Sequence, residues 1–257
     1  MNKAVKELVY PQGAPAPGSL PPPEPRSVDL MMAAHNRRDF TRESLDALRA
    51  STDWGLVRLL TLYDVASTDG AGDVMAEFVD GFKDAEARLV RIPERRHIVS
   101  VQTWHATEAR APFVAKVDND TMMPPRWLAE SLAVFRTHPG LHALGLEAFA
   151  RRGGASPRSF MPAQFVSGLA VWRRSTFDRG VPKAFGEHYG LEEWQIENPW
   201  IMRGWIEPAI DVFLLDRIPF EPWSGLTRRY VEAGWQREWP KYPPSWGLWK
   251  WRWSDKP

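Results

Sequence analysis

Apolar residues along this chain fall into short runs closed by polar turns, and the spacing inside the runs alternates between strand-like and helix-like. Ser27-Val28-Asp29-Leu30-Met31-Met32-Ala33-Ala34 reads as a first strand, ended by the polar turn His35-Asn36-Arg37-Arg38-Asp39. Thr41 and Ser44 with apolar Leu45 and Leu48 predict a helix, and Val57 to Tyr63 a second strand closed by the turn Asp64 to Gly70. A helix near 71–82, a short strand at 88–92 and a helix near 97–109 follow. Pro112-Phe113-Val114-Ala115-Lys116-Val117 is short, β-rich and closed by Asp118-Asn119-Asp120, so it reads as a buried strand, with a helix from about Pro125 to Arg136 behind it. Strands alternating with helices predict an α/β fold with a mostly parallel sheet covered by helices.

After residue 140 the rhythm changes. Leu141 to Phe149 is expected as a strand, Arg151 to Ser159 as a Gly/Arg/Pro/Ser loop, and Phe165 to Trp172 as a strand interrupted at Ser167-Gly168. Leu191 to Arg203 reads as an irregular helix limited by Pro199, and Asp211 to Asp216 as a last short strand. Residues 1–26 are Pro-rich with scarcely any apolar period and are expected to form a flexible or polyproline-like arm. Residues 223–257 are aromatic, basic and Pro-rich without clear period, which leaves 27–222 as the folded unit.

Composition narrows the class. The 257 residues suffice for one α/β domain, and 44% hydrophobic with 25% charged residues is ordinary for a soluble globular protein. A formal net charge of +1 gives no global electrostatic case for nucleic acid or membrane. With no Cys, disulfides and thiolate metal sites are excluded, and a reducing compartment fits. Met1 to Lys6 carries no apolar signal-peptide core, and no run approaches the ~18 apolar residues of a membrane span, so a cytoplasmic location is expected.

The candidate chemistry sits at the strand ends. Asp118 and Asp120, one residue apart at a strand's C-terminal end, stand where an open α/β sheet places its ligand. Alternation points both side chains the same way, so both can reach one hard cation of the kind that holds a substrate's phosphates. The six histidines show no zinc spacing.

The ordered set of strand-His35-Asn36-Arg37, strand-Asp64-x-x-Ser67-Thr68-Asp69-Gly70, strand-Asp118-Asn119-Asp120, Ser167-Gly168 and Glu192-Glu193 resembles the inverting family-2 glycosyltransferases over roughly residues 27 to 216. The resemblance implies the GT-A fold, a Rossmann-like mostly parallel sheet flanked by helices. It implies Mn2+ or Mg2+ as cofactor, Asp120 as a direct metal ligand, and Asp118 reaching the ribose or the metal through water. A late third ligand, often His in the family, has only Asp216 to stand for it here. Ala34, His35, Asn36 and Arg37 would line the nucleoside pocket, Asp64 would bond the nucleobase, and Asn119 would touch the donor. As catalytic base Glu193 matches best, with Glu192 the alternative, and the pair departs from the commoner Glu-Asp form. Gly168, Trp172 and Trp194 are the expected acceptor wall. Arg95 and Arg96 fit either diphosphate pairing or a solvated charge run, and Asp64 and Asn36 also fit plain turn caps.

The donor expected from the resemblance is a nucleoside-diphosphate sugar, with UDP-sugar favoured. For the acceptor, the interleaved aromatics and cations from Trp235 to Trp253 suit stacking on bases beside phosphates, so a hydroxymethylated pyrimidine in DNA is one expectation, as in some bacteriophage enzymes of the family. A saccharide or small-molecule acceptor and simple packing of that segment are the alternatives. A nucleotidyltransferase and a non-catalytic nucleotide-sugar-binding module remain rival classes.

Overall fold

The computed structural model describes residues 23–123, 125–146, 159–163, 165–166, 168–182, 190–207 and 213–214. The expected arm through residue 22 and the segment 223–257 lie outside the described residues. The first half follows the predicted alternation: β1 (Val28–Ala34), α1 (Arg38–Ser51), β2 (Val57–Val65), α2 (Ala71–Gly81), β3 (Glu86–Ile92), α3 (Ile98–Glu108), β4 (Phe113–Asp118) and α4 (Trp127–Thr137), with a two-residue β5 (Thr121–Met122) inserted before α4. The second half contributes β6 (Ala143–Gly145), β7 (Ser159–Pro162), β8 (Ala170–Arg173), α5 (Leu191–Glu197), β9 (Arg203–Glu207) and β10 (Phe213–Leu214).

Eight strands form one sheet in the order β3-β2-β1-β4-β8-β6-β9-β7, and β10 pairs with β5 beside it. β1 to β4 are mutually parallel, whereas β8 runs antiparallel to both β4 and β6. β1 is buried along its whole length. Its alternate residues therefore serve two faces: Val28, Leu30, Met32 and Ala34 pack with α1, α2 and α4, while Met31 and Ala33 pack with Tyr63 and Val101 of α3. α1 seals the first face with Leu45 and Leu48, and α2 with Val74, Met75 and Phe78, a helical stripe of apolar residues.

Three expectations for the second half need correction. The run from Phe165 does not begin a strand; the backbone N–H and C=O of Val166 bond instead to the side-chain amide of Gln195, at 2.9 and 2.8 Å, and the strand starts only at Ala170. The helix at 191 ends at Glu197, because Asn198 precedes Pro199 and leaves the helical region, and Arg203 begins a strand rather than closing the helix. Ser159 opens β7 instead of ending a loop.

On the α3 face lies a buried polar cluster. The Asp29 carboxylate accepts from Arg58 at 2.6 Å and from the backbone N–H groups of Arg110 and Ala111. Beside it the Tyr63 hydroxyl donates to His105 Nδ1 at 3.1 Å, which leaves His105 Nε2–H to donate to the Asp29 carbonyl. Burial holds the His105 imidazole down at about 4, neutral at physiological pH, and pushes the Tyr63 phenol up to about 12.

Candidate active site

The strand order places a reversal of direction between β1 and β4: the chain winds outward from β1 through β2 to β3, then crosses back to lay β4 on β1's other side. In such a sheet the crevice at the carboxyl ends of the two strands is where ligands bind. Ala33 of β1 stands in register with Asp118 of β4, and Ala34 with Asp64 of β2, so three sequence-distant turns meet at one edge.

Local chemistry fixes each turn. Asn36 and Arg37 both adopt left-handed backbone conformations, at φ of 61° and 65°. Asn36 staples the first turn to the second: its side-chain oxygen accepts from the Thr68 N–H at 2.8 Å, and its own N–H donates to the Ser67 hydroxyl at 2.9 Å. Asp69 serves two helices at once, accepting from the Arg38 N–H at the start of α1 and the Ala71 N–H at the start of α2. The Ser67 hydroxyl thus holds the neighbouring turn and does not cap its own helix. His35 Nδ1–H donates to the Val65 carbonyl at 2.7 Å, and the side chain is exposed.

The Asp64 carboxylate is buried and accepts from the Ser67 N–H at 3.1 Å and from Arg91 at 3.5 Å. Gly72 makes that position possible, since a Cβ there would overlap the carboxylate. Across the crevice the Arg37 guanidinium pairs with Asp120 at 2.6 Å. The Asn119 side-chain amide donates to the Thr41 hydroxyl at 3.0 Å and to the Asn36 carbonyl, tying the end of β4 to the first turn. Lys116 pairs with Asp118. Asp118 and Asp120 therefore face different internal cations.

Residues 29–155 match the family model described as Glycosyl transferase family 2. This stretch is a glycosyltransferase family 2 domain. Its GT-A fold is shared with solved structures. One is the mannosyltransferase PcManGT from Pyrobaculum calidifontis in complex with GDP-Man and Mn2+, with TM-score 0.55 and 17% identity over 76% of this chain and 58% of that one. Another is S. aureus TarS 1-349 in complex with UDP-GlcNAc, with TM-score 0.57 and 12% identity over 72% of this chain and 57% of that one. The chain thus spans well under two thirds of either. No curated protein matches it.

Within this GT-A domain the expected nucleoside-side residues Ala34, His35, Asn36, Arg37 and Asp64 do converge on one crevice with Asp118, Asn119 and Asp120. Ala34 itself is buried, and Asn119's amide is spent on holding the turns together. Gly168 lies against Lys116, which ties the 168 loop to the Asp118 end of β4. Glu193 is exposed on α5, and Gln195 of the same helix, fully buried, locks that helix to Val166. The Glu192 side chain and the whole of Asp216 lie outside the described residues, although β10 sets Leu214 opposite Thr121, next to Asp120.

Two expected acceptor residues are corrected. Trp172 is 1% exposed, and its ring packs against Phe177 and Trp194 in an apolar core that also includes Leu191 of α5. Trp194 is also buried, stacked on Phe177 at 5.8 Å. Neither ring presents an open face to a ligand; both belong to the apolar support of α5. Arg95 is exposed, and Arg96 pairs with Glu94 at 3.5 Å in an exposed loop, as a solvated charge run does. Two residues important to the site escaped the sequence reading, Lys116 and Gln195. A Lys inside an otherwise apolar strand was the available signal for the first.

The donor set suits a divalent cation in part. Two carboxylates one residue apart fit the oxygen chemistry of Mg2+ or Mn2+, which take one or two protein carboxylates and complete their shell with phosphate and water. Among the described residues no third His, Cys, Asp or Glu joins them. No helix among the described residues is long and apolar enough to cross a membrane.

Proposed function

We propose that the chain is a metal-dependent, inverting glycosyltransferase that moves a sugar from a nucleoside-diphosphate sugar to an acceptor hydroxyl. The observation that carries this reading is the meeting of the Asn36, Asp64 and Asp118–Asp120 turns at the switch point of a glycosyltransferase family 2 domain. The GDP-Man, UDP-GlcNAc and Mn2+ in the names of the structural neighbours support a nucleotide-sugar donor and a divalent cation.

In this reading the first two turns bind the nucleoside. Asp118 and Asp120 would hold a divalent cation, which would supply charge neutralisation for the diphosphate. Arg37, 30% exposed, can turn from Asp120 to the phosphates. Glu193 accepts the proton of the acceptor hydroxyl as that oxygen bonds to the anomeric carbon, while the carbon–oxygen bond to the diphosphate breaks on the opposite face. The nucleoside diphosphate leaves with the bonding pair. Gln195 keeps Glu193's helix in place against the 166 segment.

The deciding experiment measures melting temperature with UDP or GDP, each with and without Mn2+, for the wild type, Asp120→Ala and Glu193→Gln. A ligand at about 100 times its Kd stabilises by about 2.7 kcal/mol. A metal-dependent shift should appear with one nucleotide, vanish in Asp120→Ala, and survive in Glu193→Gln while transfer is lost. Absence of any shift with either nucleotide refutes the donor site; full transfer by Glu193→Gln refutes the assigned base.

A further inference from the structure

Both carboxylates of the Asp118-Asn119-Asp120 motif face a cation supplied by the chain, and the two cations differ in freedom. Arg37 reaches Asp120 from a turn across the crevice, and its side chain is 30% exposed. Lys116 precedes Asp118 by two residues on β4, so strand alternation sets both on the same face of the sheet. Its side chain is only 6% exposed, against 34% for Asp118. Gly168 leaves the room for it: a Cβ there would stand 3.1 Å from Lys116 Nζ, with Gln102 Oε1 also close at 3.8 Å. An ammonium buried in this way cannot leave its carboxylate without standing away from water and from its charged partner, which is strongly unfavourable. Arg37, at 30% exposure, keeps contact with water.

Building on the donor-site reading above, we propose that Lys116 is a resident counter-cation of Asp118, positioned by Gly168. It occupies Oδ1 and offsets one of the two negative charges of the motif. With Arg37 beside Asp120 as the second cation, a divalent cation arriving alone meets a site that is already largely neutral and binds weakly. A nucleoside diphosphate brings the missing negative charge, so cation and nucleotide bind tightly only together. Gly168 acts by keeping the ammonium in place and is a positioning residue, not an acceptor contact.

The test is calorimetric titration of the full chain with Mn2+ in the absence of nucleotide. Lys116→Met should bind Mn2+ about tenfold tighter than wild type or more, since an opposing unit charge a few ångströms away is removed. Adding Asp118→Asn to Lys116→Met should abolish the gain. Equal or weaker Mn2+ binding by Lys116→Met overturns the proposal. Circular dichroism checks folding, and Lys116→Gln, which keeps a polar group near Gln102, takes its place should the Met variant not fold. The nucleotide melting shifts read the donor site separately. A gain in Mn2+ affinity without any nucleotide response leaves Lys116's role standing and removes the donor site; a nucleotide response without the gain removes only the role of Lys116.

Discussion

His105 offers a quantitative check on how the α3 face is built. It is buried, and removal from water is the main cause that holds its folded-state pKa at about 4, against an ordinary 6.5. Asp29 opposes that shift, whereas the nearby Arg88 and Arg58 reinforce it. Between those two values the unfolded chain binds a proton that the native protein refuses. Stability therefore rises with pH across the window, is fully present above about 6.5, and is lost progressively as pH falls toward 4. A difference of about 2.5 pKa units at 1.36 kcal/mol each gives a loss of about 3 kcal/mol. The assay is urea unfolding of wild type and His105→Gln at intervals from pH 7.5 to pH 4.5. Glutamine can still accept from Tyr63 and donate toward the Asp29 carbonyl but does not titrate. The wild-type curve should fall more steeply, with the gap between the two closing by 1–2 kcal/mol already by about pH 5. His142 is also held down, by burial and by Arg173 and Arg179, but it is present in both proteins and cancels in the difference. Parallel curves for the two proteins would refute the reasoning.

Gln195→Ala leaves the buried N–H and C=O of Val166 without partners, and at about 1–3 kcal/mol for each orphaned group the variant should lose about 2–4 kcal/mol in urea unfolding; a loss under about 0.5 kcal/mol would contradict the lock between α5 and the 166 segment. If a hydroxymethylated pyrimidine in DNA is the acceptor, DNA binding should weaken with salt, and Trp249, Trp251 and Arg252 changed together to Ala should reduce both the affinity and, by about 0.9, the slope of log K on log salt. Fluorescence anisotropy at several salt concentrations measures this, and affinity for DNA that ignores salt would leave a saccharide or small molecule as acceptor.

The first half of the fold was legible because each run closes with a polar turn, and burial of β1 on both faces leaves its residues almost uniformly apolar. Strand order was not: nothing local to Val114 or Leu62 says that β4 and β2 flank β1 on opposite sides. The second half misled for definite reasons. Val166 looks like strand because it is apolar and β-branched, yet its backbone is satisfied by a side chain from residue 195. Trp172 looks like a ligand platform by composition, but ring size is equally a way of filling the core between β8 and α5. Lys116 disappeared into an apolar run because a window that averages hydropathy hides the one residue whose partner lies two positions on.

The carboxylates of the crevice also explain why so much negative charge can gather there in a folded protein. Asp64, Asp118 and Asp120 each have a basic partner, respectively Arg91, Lys116 and Arg37. Those partners are graded in freedom, with side chains 55%, 6% and 30% exposed. The half-exposed Arg91 guanidinium gives up an ion pair at little cost, because water replaces the carboxylate and surface pairs are worth only about 0–1 kcal/mol. Lys116 has no such replacement. Arg37, more exposed than Lys116, is the cation that a diphosphate entering between β1 and β4 would compete for, while Lys116 stayed with Asp118. Attraction of the leaving group would then fall to the Arg37 side of the motif, with Lys116 and Asp118 left paired.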